Sequence, residues 1–253
     1  MLIKEVFLKM GKVTAIVSGK GGTGKSFVTA GLGIALAKRN KRVLLIDFNP
    51  YLRGIDLMFG TDNGLLFDMG DIFSGNCSPQ KAVYSCESIS GLFIMSASQN
   101  TDDNINPELM RSLINAIEND YDHILIDCHG AGKIFETAVM SSEQVIILTN
   151  AEPLSVRCAE KIGRKLKEMG LDNTRLVINN FNEKKFFRLD CFQDIDEIID
   201  KIGARLLGMV PEDEEFAFAL QKSSPFGVRT KAAYAFDRIA ARLEGMDVSL
   251  FIE

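Results

Sequence analysis

The chain of 253 residues contains no tryptophan, only four tyrosines and only two histidines. The absence of tryptophan and the scarcity of tyrosine leave little surface suited to stacking on unpaired nucleic-acid bases. The histidines, His123 and His129, lie in or beside one apolar segment, which argues against a catalytic or metal-binding set of histidines. The composition thus favours neither a binder of single-stranded nucleic acid nor a histidine-based metalloenzyme.

Paired cysteines and long apolar segments are also missing. The five cysteines are scattered without a Cys-x-x-Cys pair, so neither a disulfide framework nor a zinc ribbon is predicted. No apolar stretch approaches the roughly 20 residues of a membrane span, and the N-terminus does not resemble a cleaved signal. The net charge of −5 argues against a general attraction to nucleic acid or anionic lipid. We expect a cytoplasmic protein.

The chain does contain a glycine-rich loop. Residues 18–26 read SGKGGTGKS, and they follow an apolar, β-branched run and precede a helical pattern, which is the order that a P-loop requires. We expect the loop to bind ATP or ADP together with Mg²⁺. Lys25 would contact the β-phosphate and, in ATP, the γ-phosphate, and Ser26 would bind the Mg²⁺ ion. The predicted nucleotide contacts in this segment are Gly19, Lys20, Gly21, Gly22, Thr23, Gly24, Lys25, Ser26 and Phe27.

Strand and helix signals alternate along the chain, which predicts an α/β fold with a doubly wound, mostly parallel sheet flanked by helices. Strands are predicted at residues 12–18, 42–48, 92–96, 123–128, 144–148, 175–179 and 206–210. Helices are predicted at residues 26–39, 64–73, 107–118, 135–140, 153–169 and 228–243. Residues 182–200 fit neither pattern. We expect one P-loop ATPase domain at residues 12–245, an N-terminal extension at 1–11 and a short acidic and apolar tail at 246–253.

Two of the predicted strands end in acids. Asp127 closes the apolar run ILID, and Asp47 ends the strand at residues 42–48. A carboxylate at the carboxyl end of a buried strand can hold Mg²⁺ through water. With the hydroxyl of Ser26, these two acids form the predicted magnesium site.

A second lysine, Lys20, lies near the start of the loop. The segment KGGTGKS resembles the deviant Walker A motif of the MinD/ParA family of P-loop ATPases, which includes the nitrogenase iron protein. In that family the corresponding lysine reaches across a dimer to the phosphates bound by the partner. The resemblance therefore implies a homodimer that forms around ATP.

The segment that follows Asp47 resembles the switch I of this family. Arg53 and Asp56 keep the second half of the motif, but Asn49 stands where the MinD branch has a second acid. An amide can orient a water molecule but cannot accept a proton, so the resemblance implies slow hydrolysis. The catalytic residues that it implies are Lys20, Lys25, Asp47, Asn49 and Asp127. Gly130, Ala131 and Gly132 resemble switch II, with His129 in place of a frequent proline.

The second half of the chain extends the resemblance to the MinD branch. Residues 148–157 and 207–213 resemble MinD segments, and Asn179 matches the family asparagine that binds adenine. The amide of Asn179 offers a donor and an acceptor to the adenine edge. Pro211, Glu212 and Asp213 are expected to complete the base pocket.

Three functions remain open at this point. The resemblance implies a regulatory ATPase that acts as a spatial or assembly switch with an unidentified protein partner. A metal-cluster or nickel-insertion ATPase of the same fold would need a cysteine motif, which the scattered cysteines do not supply. A nucleotide-binding scaffold with little catalysis is compatible with Asn49 and His129.

The chain ends and the basic clusters give weaker indications. Apolar residues recur at helical spacing in residues 2–10, which could form a membrane or partner contact or an edge strand, or could precede a start at Met10. The tail at residues 246–253 is acidic, whereas MinD ends in a basic amphipathic tail, so anionic lipid would repel it. A peripheral membrane contact is left open. The basic clusters at residues 38–42 and 184–188 are interpreted as solvated surface, and no nucleic-acid binding is predicted.

Overall fold

The computed structural model describes residues 11–49, 53–61, 64–98, 106–128, 132–225 and 227–250. An eight-stranded sheet has the order β3-β4-β2-β5-β1-β6-β7-β8. Its neighbouring strands are parallel except β3, which pairs antiparallel with β4 at the sheet edge. The strands are β1 (Lys12–Val17), β2 (Val43–Phe48), β3 (Tyr84–Ser85), β4 (Leu92–Met95), β5 (His123–Cys128), β6 (Gln144–Thr149), β7 (Thr174–Phe181) and β8 (Arg205–Pro211).

Helices cover both faces of this sheet. They are α1 (Lys25–Lys38), α2 (Gly54–Phe59), α3 (Met69–Phe73), α4 (Pro107–Ile117), α5 (Lys133–Met140), α6 (Pro153–Glu168), α7 (Glu183–Leu189), α8 (Ile195–Ile202), α9 (Glu214–Gln221) and α10 (Lys231–Leu243). One apolar core lies beneath α1, α2, α9 and α10, and a second lies beneath α3 to α8. The central strands are buried on both faces, as parallel sheets require. The predicted doubly wound fold is confirmed.

Aromatic packing fixes the helix that carries the loop. The ring of Phe27 on α1 lies 5.4 Å from that of Phe216 on α9 and 5.8 Å from that of Phe236 on α10, centroid to centroid. A Cβ at Gly31 would overlap the Phe236 ring, so glycine allows α1 and α10 to approach closely. The first turns of α1 therefore pack directly against α9 and α10.

The strand order places this helix N-terminus at a topological switch point. β1 lies in the middle of the sheet, with β5 on one side and β6 on the other. In open parallel sheets, ligands bind outside the carboxyl ends of the strands where the order reverses. The loop between β1 and α1 occupies this position. Within the described residues, no helix is long and apolar enough to span a membrane.

Several predicted helix boundaries are wrong. Of the helix expected at 64–73 only α3 forms, because the Asp68 side chain accepts a hydrogen bond from Gly70 N and caps it there. The helix expected at 228–243 begins at Lys231, after the Thr230 cap. Residues 182–200 contain α7 and α8, and the sequence analysis missed α2 and α9. Residues 1–10 and 251–253 lie outside the described residues, and the predicted domain boundaries stay predictions.

Candidate nucleotide-binding site

The glycine loop is open on its outer side. Gly22 and Gly24 have positive φ angles of 74° and 91°, which side-chain-bearing residues rarely adopt. A Cβ on Gly21 or Gly22 would meet no atom within 4 Å. No side chain caps the N-terminus of α1, so its backbone N–H groups remain available to an anion. The loop therefore fits a phosphate chain.

Lys25 points back across the loop. Its ammonium donates a hydrogen bond to Ser18 Oγ at 3.0 Å, and Ser18 Oγ donates in turn to the carbonyl of Lys20 at 2.9 Å. An ammonium has three donors, so this contact leaves capacity for phosphate oxygens. Lys25 is thus held beside the space that the open loop leaves.

The predicted magnesium residues lie together. Ser26 Oγ donates to Asp127 Oδ2 at 2.5 Å, while the buried Asp127 Oδ1 has no hydrogen-bond partner among the described residues. Asp47 lies opposite Asp127 in the register of β2 and β5. Its two carboxylate oxygens accept from the backbone N–H groups of Asn49 and Ile55, each at 3.0 Å. The loop after β2 therefore fixes the orientation of Asp47.

Burial raises the pKa of both acids, and repulsion by Asp127 adds to the shift at Asp47. Burial, reinforced by the charge of Asp127, raises the pKa of Asp47 to about 7. Burial also raises the pKa of Asp127, although the hydrogen bond from Ser26 and the charge of Lys25 oppose this shift. A cation beside the pair would favour both ionised forms. The unpartnered Asp127 oxygen, the Ser26 hydroxyl and the two carboxylates are ligands that suit Mg²⁺.

Lys20 is held at the rim of the loop. Its Nζ lies 3.2 Å from Glu152 Oε2, the residue that precedes α6, and the two side chains are 34% and 42% exposed. A Cβ on Gly19 would lie 2.6 Å from the carbonyl oxygen of Cys158, so the loop packs directly on α6. This packing brings Lys20 to Glu152.

Of the residues expected to bind adenine, Asn179 contacts the glycine loop, whereas Pro211, Glu212 and Asp213 lie at and after the end of β8. Asn179 Nδ2 donates to the Thr23 carbonyl at 2.8 Å, and its buried Oδ1 has no partner among the described residues. Asp213 instead accepts from the backbone N–H groups of Phe216 and Ala232, both at 2.9 Å. Asp213 therefore joins the N-termini of α9 and α10. Glu212 Oε2 accepts from Asn182 Nδ2 at 3.0 Å, and Pro211 ends β8.

Residues 14–226 match the family model of the CobQ/CobB/MinD/ParA nucleotide binding domain. The chain belongs to the MinD/ParA family. It is 32% identical to the septum site-determining protein MinD of Synechocystis over 244 residues, 94% of this chain and 91% of that protein. It is also similar to Aquifex aeolicus MinD in a MinC:MinD complex, with a TM-score of 0.87, 30% identity and coverage of 96% and 99%. Pyrococcus horikoshii MinD with Mg-ADP gives a TM-score of 0.81, 26% identity and coverage of 93% and 96%.

Membership of the MinD/ParA family confirms the resemblance that the loop indicated, and it makes this chain one of a family of ATPases. The structure brings Lys20, Lys25, Ser26, Asp47 and Asp127 to one edge of the sheet, and their roles stay predictions. His129, Gly130 and Ala131 of the predicted switch II lie outside the described residues. So do Pro50, Tyr51 and Leu52 of switch I.

Sequence reasoning missed two contacts of this MinD/ParA site. Ser18, the partner of Lys25, directly precedes the glycine loop, and this position could have signalled it. Glu152, the partner of Lys20, is separated from it by 132 residues. No local pattern indicates such a pairing.

Proposed function

We propose that this protein binds Mg·ATP, dimerises around it and acts as a regulatory switch in spatial organisation or assembly, with slow hydrolysis. The observation that carries the proposal is the buried, unpartnered Asp127 oxygen beside Ser26, at the base of an open glycine loop. The phosphates would supply negative charge to the N–H groups of the loop, and the metal ion would supply positive charge beside the buried carboxylates.

The residues of the loop would share the work of positioning and charge neutralisation. Backbone N–H groups of residues 19–26 and the ammonium of Lys25 hold the phosphates. Ser26, Asp47 and Asp127 would hold the Mg²⁺ ion, and the ion would supply positive charge to the phosphates. The loop and Lys25 would keep the γ-phosphate in place for in-line attack by water. Lys20 leaves Glu152 and reaches the phosphates of a second copy.

Asn49 would limit the rate of this reaction. It is 7% exposed and follows Asp47 by two residues, so it lies close to the acid pair. Its amide can hold the attacking water but cannot take a proton from it. The same feature supports a second candidate, a nucleotide-dependent scaffold with little catalysis.

Asn179 would select adenine. One N–H of its Nδ2 donates to the Thr23 carbonyl, so the side chain keeps its second N–H as a donor and the unpartnered Oδ1 as an acceptor. The amino group of adenine can donate to this oxygen, whereas guanine would present its own carbonyl oxygen. Pro211 and Glu212 flank the base, and Asp213 positions their loop.

A protein partner would bind the ATP-dependent dimer. The Aquifex relative was solved as a MinC:MinD complex, and we extend to this chain a regulatory protein that binds its ATP-dependent dimer. A cytoplasmic location is proposed, and a peripheral membrane contact remains an outcome to test with vesicles.

Light scattering with Mg·ADP, Mg·ATP and Mg·GTP, combined with phosphate release with and without lipid vesicles, tests the proposal. We expect a doubling of mass with Mg·ATP alone and slow phosphate release.

Lys20→Ala should abolish both the dimer and phosphate release while retaining part of the nucleotide affinity, because Lys25 and the loop remain. Lys161→Ala, an exposed change on α6, is the matched control. A monomer at saturating Mg·ATP would refute the dimer, and ATP-dependent dimers of Lys20→Ala would refute the role given to Lys20. Dimers without phosphate release would select the scaffold.

A further inference from the structure

The turn that enters α2 has a strained backbone at Arg53. This residue directly precedes α2 and has a φ of 44° and a ψ of 51°, in the left-handed region that residues with a side chain seldom adopt. Its N–H donates to the Asn49 carbonyl at 3.1 Å, which closes the turn. A conformation of this kind persists only where the surrounding structure holds it in place. The contacts of the Arg53 side chain supply that support.

The guanidinium of Arg53 lies between two acids. Its Nε is 2.9 Å from Asp56 Oδ2, its Nη1 is 3.6 Å from Asp68 Oδ2, and the Arg53 side chain is only 15% exposed. Asp56 is buried, and its other carboxylate oxygen has no hydrogen-bond partner among the described residues. Loss of the guanidinium would remove the positive charge that faces this buried carboxylate, which is costly. The pair therefore fixes Arg53 to the first turn of α2.

The second acid connects the same guanidinium to the sheet. Asp68 uses one carboxylate oxygen to cap α3, and its other oxygen faces Arg53. Met69, the first residue of α3, donates its N–H to the Ser96 carbonyl at 3.1 Å, directly after β4. Strand β4 is the neighbour of β2 in the sheet. Arg53 thus joins the start of α2 to a helix that is anchored beside β2.

The turn that Arg53 closes contacts the predicted magnesium site. Ile55, two residues after Arg53, donates its N–H to Asp47 Oδ2 at 3.0 Å. A Cβ on Gly54 would lie 3.9 Å from Ser26 Oγ, so the backbone of this turn also packs against a second predicted ligand. The orientation of the Asp47 carboxylate therefore depends on the Ile55 N–H, and the place of this N–H depends on the turn.

We infer that Arg53 is a positioning residue for the Mg²⁺ site. Its two ion pairs keep the turn in the conformation in which the Ile55 N–H orients Asp47. Arg53 acts through this N–H and not by direct contact with the metal ion or the phosphates. The inference rests on the proposed function for the ligand, Mg²⁺ bound with a nucleotide, whereas the link from Arg53 to Asp47 needs no ligand and can be measured separately.

Arg53→Gln tests this link through the Ile55 amide. A hydrogen-bonded N–H exchanges with solvent only when the structure around it opens. In the nucleotide-free protein, we expect Arg53→Gln to raise the hydrogen-exchange rate of the Ile55 N–H, measured by NMR, at least about fivefold. Arg53→Lys should recover part of the protection, because an ammonium can still pair with Asp56. Arg164→Gln is the matched control, since it removes an ion pair with Glu160 on α6 and should leave Ile55 unchanged.

Titration with Mg²⁺ gives the second measurement. We expect Arg53→Gln to raise, at least about threefold, the Mg²⁺ concentration that gives half of the Mg²⁺-dependent gain in ADP affinity. The affinity for ADP in EDTA should stay the same, because the glycine loop and Lys25 are unaltered. Arg53→Lys should again lie between the two proteins, and Arg164→Gln should match the original chain.

Three results would overturn the inference. One is unchanged exchange of the Ile55 N–H in Arg53→Gln, and another is an unchanged Mg²⁺ requirement. The third is an equal rise in the exchange of the Ile16 N–H in the central strand β1, which would mean that Arg53 only stabilises the whole fold. An original chain that binds no Mg·ADP would instead contradict the proposed function, and the Ile55 exchange rate would then decide the link from Arg53 to Asp47 by itself.

Discussion

At the scale of single residues, the chemistry proposed for the nucleotide site depends on a buried pair of acids and one amide. Asp47 and Asp127 lie at the same register on adjacent strands, and the backbone of Asn49 donates to Asp47. The strands fix the two acids, and the hydrogen bond from Asn49 to Asp47 Oδ1 is donated by the backbone N–H, which a substitution at position 49 retains. The rate of hydrolysis should therefore respond to this position separately from nucleotide binding.

Asn49→Asp should increase the turnover of ATP. A carboxylate at this position can accept a proton from the attacking water, and a general base contributes about 10² to 10⁴-fold in enzymes. We expect kcat to rise at least about tenfold, with little change in the affinity for Mg·ADP. Phosphate release under saturating ATP measures the first quantity, and titration with Mg·ADP measures the second. Equal turnover of the two proteins would contradict the role given to Asn49.

His123 should make the stability of the fold depend on pH. It is 4% exposed, and burial lowers its pKa from 6.5 to about 4. The unfolded chain therefore binds more protons between these values, so this contribution to stability is present above pH 6.5 and is lost as pH falls through 4. The contribution is on the order of 3 kcal/mol.

Urea unfolding of the original chain and of His123→Gln between pH 4 and 7 measures this contribution. The free energy of unfolding of the original chain minus that of His123→Gln should fall as the pH is lowered from 7 to 4. The comparison with the variant is necessary because Asp47 has an opposite effect on stability. The fold raises the pKa of Asp47 to about 7 and so favours its protonated form. This contribution to stability is lost as the pH rises towards 7. A difference that does not vary with pH would contradict the prediction.

At the scale of elements, long periodic segments could be predicted from the sequence and short ones could not. The loop between β1 and α1 and the strand that ends at Asp127 were evident because glycine spacing and apolar runs are local. Helix α2 has only six residues and begins after Arg53, which has a positive φ of 44°. Helix α9 did carry a signal, since Asp213 caps it and Phe216 and Leu220 follow at helical spacing.

The contacts of the site depend on distant residues and could not be predicted in the same way. Asn179 was expected to offer both hydrogen-bonding groups to adenine, and the fold adds a contact that the sequence did not indicate, in which one of its two N–H groups donates to the Thr23 carbonyl. Asp213 was expected at the base, but both its oxygens bind the ends of helices. The residue types of the site could be assigned from the sequence. The hydrogen bonds that engage their donors and acceptors join residues that are distant in sequence and meet only in the fold.

The close approach of α1 and α10 gives a prediction for Gly31. In an exposed helix, alanine is favoured over glycine by about 1 kcal/mol. Here a Cβ would overlap the ring of Phe236, so we expect Gly31→Ala to lower the free energy of unfolding by about 2 kcal/mol. Urea unfolding of Gly31→Ala, Phe236→Leu and the double variant forms the test. Independent, additive effects of the two changes would show that the ring is not the cause.

At the scale of the whole molecule, assembly must exchange one partner of Lys20 for another. In the single chain Lys20 pairs with Glu152, and the proposed dimer requires its ammonium at the phosphates of the second copy. The ion pair is partly exposed, so it stabilises the resting position by no more than about 1 kcal/mol. In the proposed dimer, Glu152 would therefore compete weakly with the phosphates for Lys20.

Glu152→Gln should lower the protein concentration at which half of the chains dimerise in saturating Mg·ATP. One such ion pair breaks in each of the two copies, and each is worth up to about 1 kcal/mol, so the expected shift is about two- to thirtyfold. Sedimentation or light scattering across a dilution series measures it, and Glu160→Gln, which removes an exposed partner of Arg164 on the same helix, is the control. A weaker dimer in Glu152→Gln alone would mean that Glu152 supports the assembled state, because the loss of a competitor can only strengthen assembly.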